Sequence, residues 1–318
     1  MPPANRNDPG RTDCSDSQFS LMEFMRDFPD DAACLEHLWR TRYSEDGAHA
    51  DCPKCEREGV VFKRYTTKQG RQSWTCTGCG HHVHPTAGTI FQGSSTSLHL
   101  WYYAMYLMTS TRCGISAKQL ERQIGVSYRT AWRMLNKIRT ELMADDGEAL
   151  SGAVEADETY VGGKARGRPT PGVHRSGRPN PAISHKQPVF GMVERGGSVA
   201  AFTVPDAKAK TVMGHIESRI LPASIVYTDE WQAYWNVGKR GYDHRRIYHA
   251  EKVYVSGDIH TNTIEGFFGL LKNGIRGTYH SVSKKWLQSY VNEYTFRYNQ
   301  RSNTTRSMFG TLLDRAAV

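Results

Sequence analysis

The chain has 318 residues, 38% of them apolar, with 41 Lys and Arg against 32 Asp and Glu and a net charge of +9. That length allows two or three small domains with at least one sizeable core, and the basic excess points toward a polyanionic partner. The longest apolar run, LHLWYYAMYLM at 98–108, is too short for a bilayer, which needs ~20 residues, so no membrane role is expected. The opening MPPANRNDPG lacks the apolar core of a signal peptide. A cytoplasmic protein is therefore expected, whose seven cysteines stay out of disulfides.

Residues 1–15 are polar and rich in Pro and Gly, and read as a disordered tail. A helical segment over 16–50 follows. Asp30 or Asp31 caps a helix that carries Leu35, Leu38, Trp39 and Arg42 on one face. At 51–92, CPKC and CTGC stand twenty residues apart (56–75), the spacing of a four-thiolate zinc site. Cys52, Cys55, Cys76 and Cys79 are the expected ligands of one structural Zn2+. The alternating stretch between them reads as a β-hairpin around Gln69-Gly70, completing a zinc ribbon. His81, His82 and His84 are left at the surface, because four thiolates already saturate the metal.

Over 93–145 the pattern is helical. A helix from about Ser97 to Thr109 precedes one at 116–123 that breaks at Gly125. Ser127 then caps another, with Ala131, Leu135 and Ile138 on one face and Arg129, Arg133 and Lys137 on another. This is a helix-turn-helix, its second helix a candidate reader of the major groove; the alternative is an ordinary helical hairpin in a bundle.

From 150 to 318 strands and helices mix. AVEADETYVGG reads as a strand, and QPVFGMVERGG with SVAAFTVPD as a hairpin turning at Gly196-Gly197. A helix, a buried strand ending in Asp229, a short strand RRIYHA and two further helices follow. Three antiparallel strands and then alternating helix and strand is the order of an α/β ribonuclease-H-like domain. The chain is thus expected to be multidomain, with zinc ribbon and helix-turn-helix ahead of that domain. Asp157, ending its β-type run, and Asp229 come from adjacent strands, and Glu265 from a helix packed across them. Three converging carboxylates repel one another unless cations lie between them. Two Mg2+ (or Mn2+) per site suit hard carboxylate and phosphate oxygens and serve phosphodiester transfer. Glu158 leaves the strand on the opposite face and is not taken as a ligand.

Charge is concentrated in three runs. There are six basic residues and no acid from Lys164 to Lys186, seven with only Glu121 from Arg112 to Arg139, and seven with only Glu293 from Lys272 to Arg306. The first run, containing Lys164, Arg166, Arg168, Arg175 and Arg178, is expected to be a flexible basic loop (164–186) that lies along DNA. Trp231 and Tyr234, just after Asp229, serve either core packing or stacking on a base.

The motifs DETYVGGK, YTDEWQAY and NTIEGFFGLLK, with the CPKC/CTGC ribbon, resemble insertion-sequence transposases of the DDE superfamily, specifically the zinc-ribbon family numbered fifteen ninety-five. The resemblance runs over nearly the whole chain. It implies a bacterial, nucleoid-associated enzyme that binds the terminal inverted repeats of its element, cleaves there and joins the 3′-hydroxyl to target DNA. Double-stranded DNA is the implied partner, with a homodimer assembled on it. The acidic triad falls on Asp157, Asp229 and Glu265. Some members carry Asn as the third residue, and Asn262 lies three before Glu265. The carboxylate is the better Mg2+ ligand. Lys272 shares that helix face and is expected to touch phosphate, together with Arg276; His260 either orients the third acid, contacts phosphate or is a plain loop residue. The alternative function is a catalytically inactive or domesticated DNA-binding regulator, and a third is a nuclease that cleaves without joining.

Overall fold

The computed structural model describes residues 19–66, 72–162, 186–247 and 260–318. The expected disordered tail, the hairpin tip at Gln69-Gly70 and the basic residues Lys164, Arg166, Arg168, Arg175 and Arg178 lie outside the described residues. The chain forms two compact units, Met1–Ile138 with Asn303–Val318, and Arg139–Ser302.

In the first unit, α1 (Leu21–Asp27) starts at a capping box of Ser20 and Glu23 that the sequence reading passed over. Asp30 caps α2 (Asp31–Arg42) by accepting from the Ala33 N–H at 2.8 Å. Trp39 of α2 stacks on Trp74 at 4.8 Å and 10° and packs against Phe62. The helix is thereby part of the core of a four-stranded antiparallel sheet, β1 (His49–Ala50), β2 (Val60–Thr66), β3 (Gln72–Cys76) and β4 (His82–Val83), in sequential order. Three helices follow: α3 (Leu98–Ser110), α4 (Ala117–Ile124) and α5 (Tyr128–Lys137). Gly125 ends α4 in the left-handed region at φ +68°, and Ser127 caps α5 by accepting from the Thr130 N–H. Ala131, Leu135 and Ile138 are fully buried, as their spacing requires. The final helix, α9 (Thr305–Ala316), belongs to this unit, its Phe309 lying among Phe19, Phe24 and Phe28. The sequence placed the whole of 150–318 in the α/β domain; the apolar face of α9 instead completes the aromatic core of the first unit.

The second unit is built on a five-stranded sheet of order β7-β6-β5-β8-β9. β5 (Ala153–Val161), β6 (Gln187–Glu194) and β7 (Val199–Thr203) are antiparallel. β8 (Ile225–Thr228) and β9 (Asp243–Arg246) run parallel to β5. β9 is shifted earlier than the RRIYHA expected for it, whose last three residues are not described. Strand alternation divides two cores between the faces. Val154, Ala156, Phe190, Met192 and Val226 pack with Val212 and Ile216 of α6 (Ala209–Arg219). Val161, Val189 and Val193 pack with Ile264, Phe267, Phe268 and Leu271 of α7 (Asn262–Gly274) and with Val291 of α8 (Leu287–Asn299). No helix among the described residues is long and apolar enough to cross a membrane.

Candidate active site and metal centre

The four cysteines of the first unit come together. Cys52 Sγ lies 3.7 Å from Cys79 Sγ, Cys55 Sγ lies 4.0 Å from Cys76 Sγ, and all four sulfurs are within 4.8 Å of one another. A tetrahedral ion with bonds of about 2.3 Å has edges of about 3.8 Å, so the spacing and the soft donors fit Zn2+. Backbone N–H groups of Cys55 and Lys54 point at the Cys52 sulfur and bring its thiol down to about 6, toward the thiolate a metal requires.

In the second unit, register brings two acids side by side. β5 and β8 pair in parallel up to Glu155 and Tyr227. Two residues further along stand Asp157, still within β5, and Asp229, one residue past the end of β8 rather than at its end as the sequence suggested. Asp157 does not end its strand, as the sequence suggested: it is mid-strand in β5, which continues to Val161 because β6 stays paired to it throughout. It stands where the shorter β8 has stopped. Its side chain leaves on the α7 face, the one it shares with Glu155. Opposite Asp157 on β6 is Gly191, where a Cβ would meet Ile264 Cδ1 at 2.9 Å and the Phe268 ring at 3.0 Å. The missing side chain lets α7, and with it Glu265, come close to the sheet at the level of Asp157.

The electrostatics record that convergence. Burial first, then the Glu158 carboxylate, push the Asp157 carboxyl up to about 8; Asp229 and Glu265 add to the shift, and the Glu158 N–H, donating at 2.8 Å, opposes it. Glu158 leaves on the other face, as expected, where the Tyr234 hydroxyl donates to it at 2.6 Å. Burial and Asp229 raise Glu158 as well, against that hydrogen bond. Asp229 Oδ1 accepts from the Trp231 N–H at 3.0 Å. Glu265 Oε1 accepts from the Thr261 hydroxyl at 3.1 Å. Among the described residues, the thiolates are the one set of three or more metal-ligating side chains gathered within 4.8 Å; the three acids stand less close.

Lys272 is half-buried on α7. Its ammonium is lowered by burial and by Arg276, with Lys186 adding and Asp157 opposing. Lys272 thus acts on Asp157, and Arg276 and Lys186 act on Lys272. Asn262, at the start of α7, is exposed. His260 turns to neither Glu265 nor open solvent: its Nδ1 lies 3.2 Å from Glu155, off the line of a hydrogen bond. The two aromatic candidates separate, Tyr234 being fully buried while Trp231 is 51% exposed.

Of the helix-turn-helix candidates, Arg129 and Arg133 are exposed on α5, whereas Lys137 is half-buried and its Nζ donates to the Ile90 carbonyl at 3.3 Å. Two members of the basic runs are also internal. Arg139 and Arg297 pair with the buried Glu293 at 2.7 and 2.9 Å.

Sequence reading missed Glu155. It is fully buried and accepts from Arg195 Nε at 2.7 Å, from the Thr263 N–H at 2.8 Å and from the Ile264 N–H at 3.0 Å. A usable signal was present: an acid two before Asp157 shares its face of the strand.

A family model described as the ISXO2-like transposase domain matches residues 149–299, nearly all of the second unit. An uncharacterized protein in transposable element ISH50 of Halobacterium salinarum is 30% identical over 273 residues, 83% of this chain and 90% of that protein. An uncharacterized transposase-like protein of Haemophilus influenzae is 26% identical over 101 residues, 32% of this chain and 80% of that protein. Among solved structures, a pre-cleavage Mos1 transpososome aligns at 10% identity over 68% of this chain and 76% of that one, with a TM-score of 0.27. The class that the family model and the Halobacterium relative define is that of the insertion-sequence transposases. Within it, the chain belongs to the ISXO2-like family, the one numbered fifteen ninety-five.

Proposed function

We propose that the protein is a DNA transposase whose second unit, residues 139–302, is a ribonuclease-H-like catalytic domain that cuts at the ends of its element and joins them to target DNA. The observation that supports this reading is the buried Asp157 carboxyl, pushed up to about 8 by burial and Glu158 first and by Asp229 and Glu265 in addition. Carboxylates held together at such a cost suit divalent cations, and their hard oxygens fit Mg2+ or Mn2+. Asp157, Asp229 and Glu265 would hold them. Two ions bound there would activate the attacking oxygen and stabilise the leaving one. In such a site the ligands are shared between ions ~3.5–4 Å apart, so the acids need not all crowd about one point. Glu265, a carboxylate that accepts from Thr261, is favoured over the amide of Asn262 as the third ligand.

Lys272, which interacts with Asp157, and its basic neighbours Arg276 and Lys186 would bind the phosphates on either side of the cut, giving the polyanion a basic approach. The zinc ribbon and the helices of residues 93–145 would recognise the terminal repeats, with Arg129 and Arg133 toward the groove. Joining two ends needs two active sites, so a homodimer would assemble on the DNA. The test is a joining assay with end DNA and Mg2+, comparing wild type with Asp229→Ala. Loss of both cleavage and joining with end binding retained is expected. Joining by the variant would overturn the site; cleavage without joining by the wild type would favour a nuclease.

A further inference from the structure

Glu155 is the most heavily coordinated acid near the site, and its partners show what it holds. The first turn of α7 has no cap of its own: Thr261, the residue before the helix, gives its hydroxyl to Glu265 and makes no capping bond. A helix start leaves several N–H groups unsatisfied, and a carboxylate there is favoured by both hydrogen bonding and the helix dipole. Glu155 supplies that carboxylate from β5. Its Oε2 takes the N–H of Thr263 and Ile264 at 2.8 and 3.0 Å, and its Oε1 takes the Thr263 hydroxyl at 2.9 Å. Arg195 neutralises Oε1 at 2.7 Å and donates to the His260 carbonyl at 2.8 Å, so the chain entering α7 is tied to the same carboxylate.

The consequence lies in the sequence positions. Glu155 is two residues from Asp157 on one strand face, and Glu265 directly follows Ile264. We infer that Glu155 is a positioning residue for the acidic site: by capping α7 from the strand that carries Asp157, it fixes the helix start that carries Glu265 against that strand. The inference rests on the reading of Asp157, Asp229 and Glu265 as ligands. Removing the carboxylate frees the first turn without releasing the helix, since Ile264, Phe267, Phe268 and Leu271 remain packed on the sheet.

The experiment measures Mn2+ binding to the full chain by the spin-resonance signal of free Mn2+, beside circular dichroism and end-DNA affinity. Glu155→Gln is expected to weaken Mn2+ binding by about tenfold or more, the range seen when residues supporting metal ligands are changed. Its dichroism and end-DNA affinity should stay within about twofold of wild type, and excess Mn2+ should restore part of the joining activity. Thr263→Val, which loses one donor and keeps its shape, is expected to shift binding by a few-fold and decides the matter if Glu155→Gln does not fold. Mn2+ binding unchanged in the variant that folds, while Asp157→Asn abolishes it, overturns the positioning role alone. Mn2+ binding unchanged in Asp157→Asn as well overturns the metal site and this inference with it.

Discussion

The ribbon thiolates and the acids of the larger sheet are both clusters of metal-ligating groups, yet they are held in opposite ways. The cysteines sit on two tight knuckles bridged by one hairpin, and their sulfurs already stand at the edges of a tetrahedron. The acids come from β5, the residue after β8 and a helix, remain less close, and two of them raise the proton affinity of the third, Asp157. A closed set of four soft donors suits a structural ion that contributes folding energy. An open set of hard donors bordered by lysine and arginine suits ions that meet a substrate. On the proposed reading the difference is one of purpose: the first site is finished by the fold, and the second is left for a metal and a phosphate to complete.

The largest expected effect falls on the closed site. Structural zinc supplies about 10–16 kcal/mol in small zinc modules. Cys55→Ser should therefore cost the bound zinc, counted by elemental analysis, and unfold the ribbon core around Trp39 and Trp74, seen as a change in near-ultraviolet dichroism. End binding should fall with it. Retention of one zinc per chain by the variant would break the comparison.

Gly191→Ala probes the open site through packing. Its Cβ would press on Ile264 and Phe268, so α7 must shift from the sheet at about 1–3 kcal/mol. Joining should drop more than stability alone explains, because Glu265 moves with the helix; denaturant melts and joining rates on the same sample measure both.

A smaller effect concerns protons. Asp157 rises from 3.8 to about 8 on folding, so the folded metal-free protein holds a proton that the unfolded chain releases between those values. Its stability is present at low pH and is lost as pH rises from about 4 through about 8. Asp157→Asn removes that loss. In zinc-replete buffer free of Mg2+ and Mn2+ at pH 8 the variant should melt a few degrees above wild type, with the gap narrowing toward pH 5, and Mg2+ should raise the melting temperature of wild type only. Equal melting at both pH values would contradict it.

The smallest effect is on DNA affinity. Arg129→Ala and Arg133→Ala should each lower the slope of log affinity against log salt by about 0.9, the share of one phosphate contact. Lys137→Ala, whose ammonium is engaged by the Ile90 carbonyl, should leave the slope unchanged; titrations of end DNA at several salt concentrations separate the two.

The contrast also explains what could be read from the residues. The ribbon was legible because its ligands lie within one hairpin, where spacing alone sets geometry. The turn between α4 and α5 was legible too, since Gly125 and Ser127 act on their immediate neighbours. Asp157 and Asp229 could be paired from strand order, but the place of Asp157 within β5 could not, because it depends on how far β6 and β8 extend beside it. The close approach at Gly191 and the capping by Glu155 are long-range: each joins residues 70 to 110 positions apart in sequence, and nothing local marks them. The assignment of α9 to the first unit is of the same kind, its amphipathic pattern naming a buried face without naming what buries it.

The most direct measurement is anomalous diffraction from crystals of the full chain with end DNA and Mn2+. Manganese peaks bonded to oxygens of Asp157, Asp229 and Glu265 at about 2.0–2.3 Å are the expected result. Manganese found only elsewhere, with those three carboxylates sharing no ion, would contradict the account.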